Sequence, residues 1–146
     1  MPRSFYEMYI HLIWSTKARE NLITSEIEKD IIEIIKTKCI KYNCTPIAIG
    51  NTTNHIHLLL SISPKTNIEL FVKEAKGSTS YFVNHHKDCA LYWQDGYGAI
   101  SVSKSGMKYV VDYILHQKEH HSDIFKLVNI LEKNSQYLSS SEDMVF

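Results

Sequence analysis

The stretch that most constrains the fold is His55-Ile56-His57-Leu58-Leu59-Leu60-Ser61-Ile62. A turn, Gly50-Asn51-Thr52-Thr53-Asn54, precedes it, and Pro64-Lys65-Thr66-Asn67 breaks the chain after it. A short apolar run between such signals reads as a strand, and one this apolar belongs in the middle of a sheet. Side chains alternate along a strand. Ile56, Leu58 and Leu60 therefore share the face packed on helices, and His55 and His57 project from the other. Strand rise puts those two imidazoles about 7 Å apart, close enough to converge on one metal ion. Taken alone, an H-x-H pair is equally two surface histidines on a half-exposed strand. Its place in a central strand, where polar groups need partners, favours the first reading.

The rest of the chain supplies the sheet around this strand. Tyr6 to Trp14 is aromatic and β-branched, with no breaker, and reads as a strand. Ser25 reads as an N-cap with Glu28 completing a capping box. Ile27, Ile31, Ile34, Ile35 and Cys39 then recur at helical spacing, predicting a helix over 25–43. Pro46 to Ile49 begins a second strand, close enough to strand 55–62 to form a hairpin. Asn67 caps a second helix that runs to about His86 despite Gly77. After a turn at Trp93–Gly98, residues 99–103 alternate as a short strand. Ser105 caps a third helix carrying Tyr109, Val110, Tyr113, Ile114 and Gln117, and Phe125 to Tyr137 reads as one more. The order strand, helix, strand, strand, helix, strand predicts an α+β fold. It is a ferredoxin-like βαββαβ sandwich, an antiparallel sheet with helices on one face. The tyrosine-bearing helix is an additional C-terminal element, and the second sheet face is available to a ligand, a partner or that helix. Such a fold does not identify a function.

The length of 146 residues and a hydrophobic content of 44% suit one compact domain with a sizeable core. It divides into a body over 1–121 and a C-terminal helix with an acidic tail over 122–146. No apolar leader or membrane span is apparent, and a cytoplasmic protein is expected. Cys39, Cys44 and Cys89 form no repeated C-x-x-C pair, so they read as reduced thiols, and a zinc site on the first two lacks a second pair.

A second constellation is Tyr113-Ile114-Leu115-His116-Gln117. Positions i and i+4 share one helix face, so Tyr113 and Gln117 present a phenol and an amide to the same neighbour. By itself this is also a core tyrosine beside a solvated glutamine.

Together the two constellations resemble a known family. His55-Ile56-His57 followed by leucines resembles the HUH motif, in which U is hydrophobic. Tyr113 to Gln117 resembles the YIxxQ element of the single-tyrosine HUH transposases of bacterial insertion sequences. Tyr9 to Lys17 resembles that family's first strand and basic turn, Trp93 to Ala99 the stretch before its last strand, and Gln117 to His121 the sequence that often follows its tyrosine. Asn54 stands where relatives often carry Asp. The resemblance implies that His55, His57 and Gln117 hold a divalent metal, Mg²⁺ or Mn²⁺, and that Tyr113 is the nucleophile. The implied substrate is single-stranded DNA at insertion-sequence ends with subterminal hairpins. Cleavage and rejoining would pass through a 5′-phosphotyrosine. A homodimer is implied, with active sites completed in trans as one arrangement. Tyr109, one turn earlier on the same face, reads as a packing or base-stacking residue in preference to a second catalytic tyrosine, and His11 reads as a structural histidine in preference to a neighbour of the metal site.

DNA contacts are expected from Lys17, Arg19, Lys73, Lys76 and Lys104, with Arg3, Lys65 and Lys108 as further cations. Trp93 is the leading aromatic, and Trp14, Tyr81, Tyr92 and Tyr97 are further stacking surfaces. The net charge is zero, with 16 basic and 16 acidic residues, which at first sight argues against nucleic acid. That neutrality is a cancellation. Residues 1–118 carry 14 basic and 11 acidic side chains, and residues 119–146 carry 2 and 5. A body this weakly cationic predicts recognition by hairpin shape, stacking and metal, with a modest salt dependence. Two other classes compete. A catalytically silent or domesticated nucleic-acid-binding protein acting on hairpin repeats would have no need of all four of His55, His57, Tyr113 and Gln117. A two-histidine phosphoesterase needs two separate H-x-[ST] motifs, which the chain does not supply.

Overall fold

A computed structural model of the chain describes residues 4–117. The elements are β1 (Met8–Ser15), α1 (Ser25–Lys41), β2 (Cys44–Asn51), β3 (His55–Ile62), α2 (Ile68–His86), β4 (Gly98–Val102) and α3 (Met107–Leu115). The four strands form one antiparallel sheet in the order β2-β3-β1-β4. This is the expected ferredoxin-like arrangement, and β3 is flanked on both sides as its apolar content requires. The helix expected over Phe125–Tyr137, the tail over 122–146, and Arg3, His120 and His121 lie outside the described residues.

The sheet has two unlike faces. On one, Leu12, Trp14, Ile56, Leu58 and Leu60 meet Ile27, Ile31, Ile35 and Cys39 of α1 and Phe71, Val72, Ala75 and Val83 of α2. These side chains are almost wholly removed from water, and this dry layer is the main hydrophobic core. On the other face Ile13, Ala48 and Leu59 meet Tyr113 and Ile114 of α3. The tyrosine-bearing helix thus covers the face that the two long helices leave open.

Several local expectations shift. Thr24, not Ser25, is the N-cap of α1, and its side chain makes no capping bond, so the capping box is not formed. Glu26 and Glu28 still oppose the helix dipole at that end and Lys38 and Lys41 at the other. Asn67 does cap α2, accepting from the Leu70 N–H at 3.0 Å. Ser105 does not cap α3, which begins after Gly106. β2 runs on through Gly50 and Asn51, both expected in a turn, because they pair with His57 and Ile56 of β3; a bulge shifts the register earlier, at Pro46/Ala48.

Gly50 has a specific task. A Cβ there would overlap the carbonyl oxygen of Ile114 in α3. The absence of a side chain lets the helix backbone lie directly on β2.

Candidate active site

The register of β1 and β3 builds the site. Ile13 pairs with His57, and His11 with Leu59, so His11, His57 and His55 emerge on the face that α3 covers. His57 is fully buried and His55 is 9% exposed. Their rings lie 5.1 Å apart in an edge-to-face arrangement. The Tyr113 ring stands edge-to-face over His57 at 5.6 Å and over His11 at 6.4 Å. α3 stops at Leu115, short of the helix expected through Gln117, and Gln117 is buried in the turn that follows it. Gln117 lines a cavity of about 290 Å³ with Gly50, Asn51, Ile114 and His116.

Each metal-candidate histidine has its Nδ1 engaged. His55 Nδ1 lies 2.6 Å from Asn54 Oδ1 and 2.9 Å from Thr52 Oγ1. His57 Nδ1 lies 2.8 Å from His11 Nε2. In both rings this leaves Nε2 as the outward nitrogen. His57 Nε2 and both amide atoms of Gln117 are buried with no hydrogen-bond partner among the described residues. Buried polar atoms are normally paired, so orphans from two sequence-distant elements on one face mark a place where a ligand belongs. Among the described residues no three His, Cys, Asp or Glu side chains are arranged to hold a metal ion by themselves. A metal here therefore needs a donor of another type, which an amide oxygen supplies.

Electrostatics keep the cluster neutral. Burial, reinforced by the neighbouring His11 and His55, holds His57 well below the ordinary imidazole range. Burial alone brings His11 down to about 4. Burial also pushes the Tyr113 phenol up, and Tyr109 adds to the effect. Tyr113 is 6% exposed and Tyr109 70%, so of the two only Tyr113 is built into the cluster.

The cations expected to touch DNA divide into two groups. Lys17, Lys73, Lys76 and Trp93 come together in one open groove of about 680 Å³, with Tyr81, Tyr92 and His85 also lining it. Its wall is the segment that follows α2. The Lys17 N–H donates to Tyr92 O at 2.8 Å, and the Gln94 N–H to Ser15 O at 2.9 Å. Lys76 is spent partly on structure, since its ammonium donates to the carbonyls of Gln94 and Gly96, and burial lowers its pKa to about 8. Trp93 donates from Nε1 to Thr79 Oγ1 and sets its ring edge-to-face with Trp14, so it is a packed wall of the groove. Trp14 itself is wholly buried and offers no stacking surface. The exposed rings are Tyr81, stacked on His85 at 4.1 Å, and Tyr92. Arg19 and Lys104 do not line the groove, and Lys104 pairs with Glu7 at 2.8 Å. Ala18 and Arg19 both adopt positive φ, 54° each, in the turn leaving β1. Strained turns of this kind persist where the surroundings fix them, and the Ala18 N–H donates to Gln94 Oε1 here.

Two members of the site were underread from sequence. His11 shares parity with Ile13 and Tyr9, and the pairing of β1 with β3 puts it on the face of His55 and His57. Gly50 looked like a turn residue. A glycine inside a strand is itself a sign of close backbone approach.

Residues 4–117 match the family model described as "Transposase IS200 like". The ISDra2 transposase TnpA of Deinococcus radiodurans is 28% identical over 123 residues, covering 78% of this chain and 88% of that protein. The transposase for insertion sequence element IS200 of Salmonella typhimurium is 28% identical over 116 residues, covering 75% and 76%. Among solved structures, a candidate transposase from Deinococcus radiodurans matches with a TM-score of 0.62 and 25% identity, over 80% of this chain and 95% of that one. A REP-associated tyrosine transposase bound to a REP hairpin matches in fold, with a TM-score of 0.63 and 14% identity, over 83% of this chain and 73% of that one.

Proposed function

The chain belongs to the IS200-like transposase family, and from that premise we propose that it cleaves and rejoins single-stranded DNA at insertion-sequence ends. Tyr113 is the nucleophile, and His55, His57 and Gln117 are the ligands of one divalent ion. The observation that carries this reading is the Tyr113 ring over His57, beside buried nitrogen and amide atoms that lack partners among the described residues.

The donor set fits a metal. Two neutral imidazoles and an amide bring no charge of their own, so an ion held there keeps its full charge for a phosphate. A bound divalent ion supplies charge withdrawal from the scissile phosphate and orientation for in-line attack. Imidazole suits Mn²⁺ better than Mg²⁺, which prefers oxygen. Burial keeps the His57 ring uncharged near neutral pH, as ligation requires.

The chain's own residues carry the covalent step. Tyr113 Oη bonds to phosphorus while the bond from phosphorus to O3′ breaks. The phenolic proton is transferred, in net terms, to the departing O3′. The products are a 5′-phosphotyrosine and a free 3′-hydroxyl. Attack by a 3′-hydroxyl on that ester reverses the change, so rejoining needs no nucleotide cofactor. A phenol pushed above its ordinary pKa is a poor spontaneous nucleophile. Its reaction is therefore confined to a correctly seated phosphate.

The groove supplies the handle on DNA. Lys17 and Lys73 face phosphate, and Tyr81 and Tyr92 stack unpaired bases. A subterminal hairpin is the expected partner, in keeping with the hairpin-bound neighbour. Arg19, Lys76, Lys104 and Trp93 act at the margins of this surface or through its shape. The working unit is taken to be a homodimer, although α3 rests on the sheet of its own chain.

The test is direct. Full-length protein is incubated with Mn²⁺ or Mg²⁺ and oligonucleotides of the insertion-sequence ends, then run on a denaturing gel. A covalent adduct lost in Tyr113→Phe supports the reading. An adduct that survives the substitution overturns the nucleophile. No adduct with cognate ends assigns the chain to the silent, hairpin-binding class.

A further inference from the structure

The bond between His11 and His57 joins two buried rings. The register makes the two residues diagonal neighbours on one sheet face, so a slip of one residue would send His11 into the opposite core. One proton occupies that bond, and it can sit on either ring. If His11 donates, the proton of neutral His57 sits on Nε2, a buried atom with no acceptor among the described residues. If His57 donates from Nδ1, its Nε2 is a bare lone pair. The proton of His11 then sits on its own Nδ1, which is not among the buried atoms lacking a partner. A stranded buried N–H is the rarer and costlier defect, so the second arrangement is favoured. His55 shows the same logic with a fixed answer. The Asn54 oxygen beside it only accepts, so His55 carries its proton on Nδ1.

We propose that His11 is a positioning residue, which accepts the Nδ1 proton of His57 and thereby holds the Nε2 lone pair of His57 ready for the metal. This rests on the metal centre proposed above. Two acceptors on different elements, Asn54 in the turn before β3 and His11 in β1, then set the two histidine ligands in one tautomer before any ion arrives.

The test reads protonation as well as activity. Full-length, metal-free protein labelled with ¹⁵N-histidine is examined near neutral pH by long-range proton–nitrogen correlation, which reports the protonated nitrogen of each ring. Wild-type His57 should carry its proton on Nδ1. In His11→Leu that preference should be lost, and Mn²⁺ affinity should fall roughly 10- to 100-fold. His11→Gln offers a carbonyl oxygen to the same proton and should restore both. A wild-type His57 protonated on Nε2 would overturn the proposal, as would a His11→Leu protein with unchanged tautomer and unchanged Mn²⁺ affinity. Should His11→Leu fail to fold, the wild-type tautomer and His11→Gln still decide. Failure of the wild-type protein to bind Mn²⁺ at all would overturn the metal centre. An Nε2-protonated His57 in a protein that does bind Mn²⁺ would overturn the role of His11 alone.

Discussion

The two faces of β3 are made from adjacent residues and do opposite things. Ile56, Leu58 and Leu60 enter a dry, mainly apolar layer against α1 and α2, whose buried polar groups include Thr79 and the Trp14 indole nitrogen. His55 and His57 enter a thinner layer under α3, where nitrogen and amide atoms are buried without partners among the described residues. The first face gains free energy by excluding water. The second forgoes some of it, since buried polar atoms without partners are destabilising. One strand thus anchors the fold with one parity and the chemistry with the other, and damage to the two faces should separate stability from activity.

The sharpest separation comes from Tyr113→Phe. It keeps the ring that covers His57 and removes only the hydroxyl. Covalent adduct formation on a gel should drop by about 10⁴-fold or more, with thermal stability almost unmoved. Next is a matched pair on β3. Leu58→Ala, on the dry face, should cost about 2–5 kcal/mol in urea denaturation. His57→Leu removes one orphaned nitrogen and strands another on His11, so its stability change should stay within about 1 kcal/mol while adduct formation is lost. A large stability loss in His57→Leu would mean that the second face is as structural as the first.

Acid should weaken the α3 face. His11 titrates at about 4 in the folded chain and His57 lies well below its ordinary value, so each is protonated more readily when unfolded. The resulting stability is fully present above about pH 6.5 and is lost as pH falls toward 4. For His11 alone this amounts to about 3 kcal/mol. Denaturation midpoints measured from pH 7 to pH 4 should show that fall, and His11→Gln should flatten it.

Gly50→Ala addresses the contact between β2 and the tyrosine helix. The new methyl must displace the Ile114 carbonyl, at a cost of roughly 1–3 kcal/mol. Adduct formation should fall further than stability does, because α3 carries both Tyr113 and the approach to Gln117. The smallest effects belong to the groove. Lys17→Gln and Lys73→Gln should each leave stability within about 0.5 kcal/mol. Each should lower the slope of log affinity against log salt by about 0.7 for single-stranded DNA. Titrations by fluorescence anisotropy at several salt concentrations would measure it.

Much of the site was legible because it follows local periodicities. The period of two put His55 and His57 on one side of β3. The spacing of four placed Gln117 on the tyrosine helix, but α3 stops at Leu115 and Gln117 lies in the turn that follows. The caps were less legible. Thr24 and Gly106 replaced Ser25 and Ser105, since a cap depends on where the backbone leaves the helix as much as on the side chain available. Trp14 and Trp93 were both expected as stacking surfaces, and the burial of Trp14 and the fixing of Trp93 by Thr79 depended on what α2 placed beside them.

The sequence by itself determined the element order, the parity of the histidine pair and the placing of Tyr113 on a helix, because these depend on neighbours within a turn or two of chain. Only the tertiary structure decided that α3 lies on the histidine face and that Gly50 admits it. The same holds for His11 reaching His57, and for Lys17 joining Lys73 in one groove. Those facts depend on strand register and helix docking, which are set by packing between segments far apart in the chain.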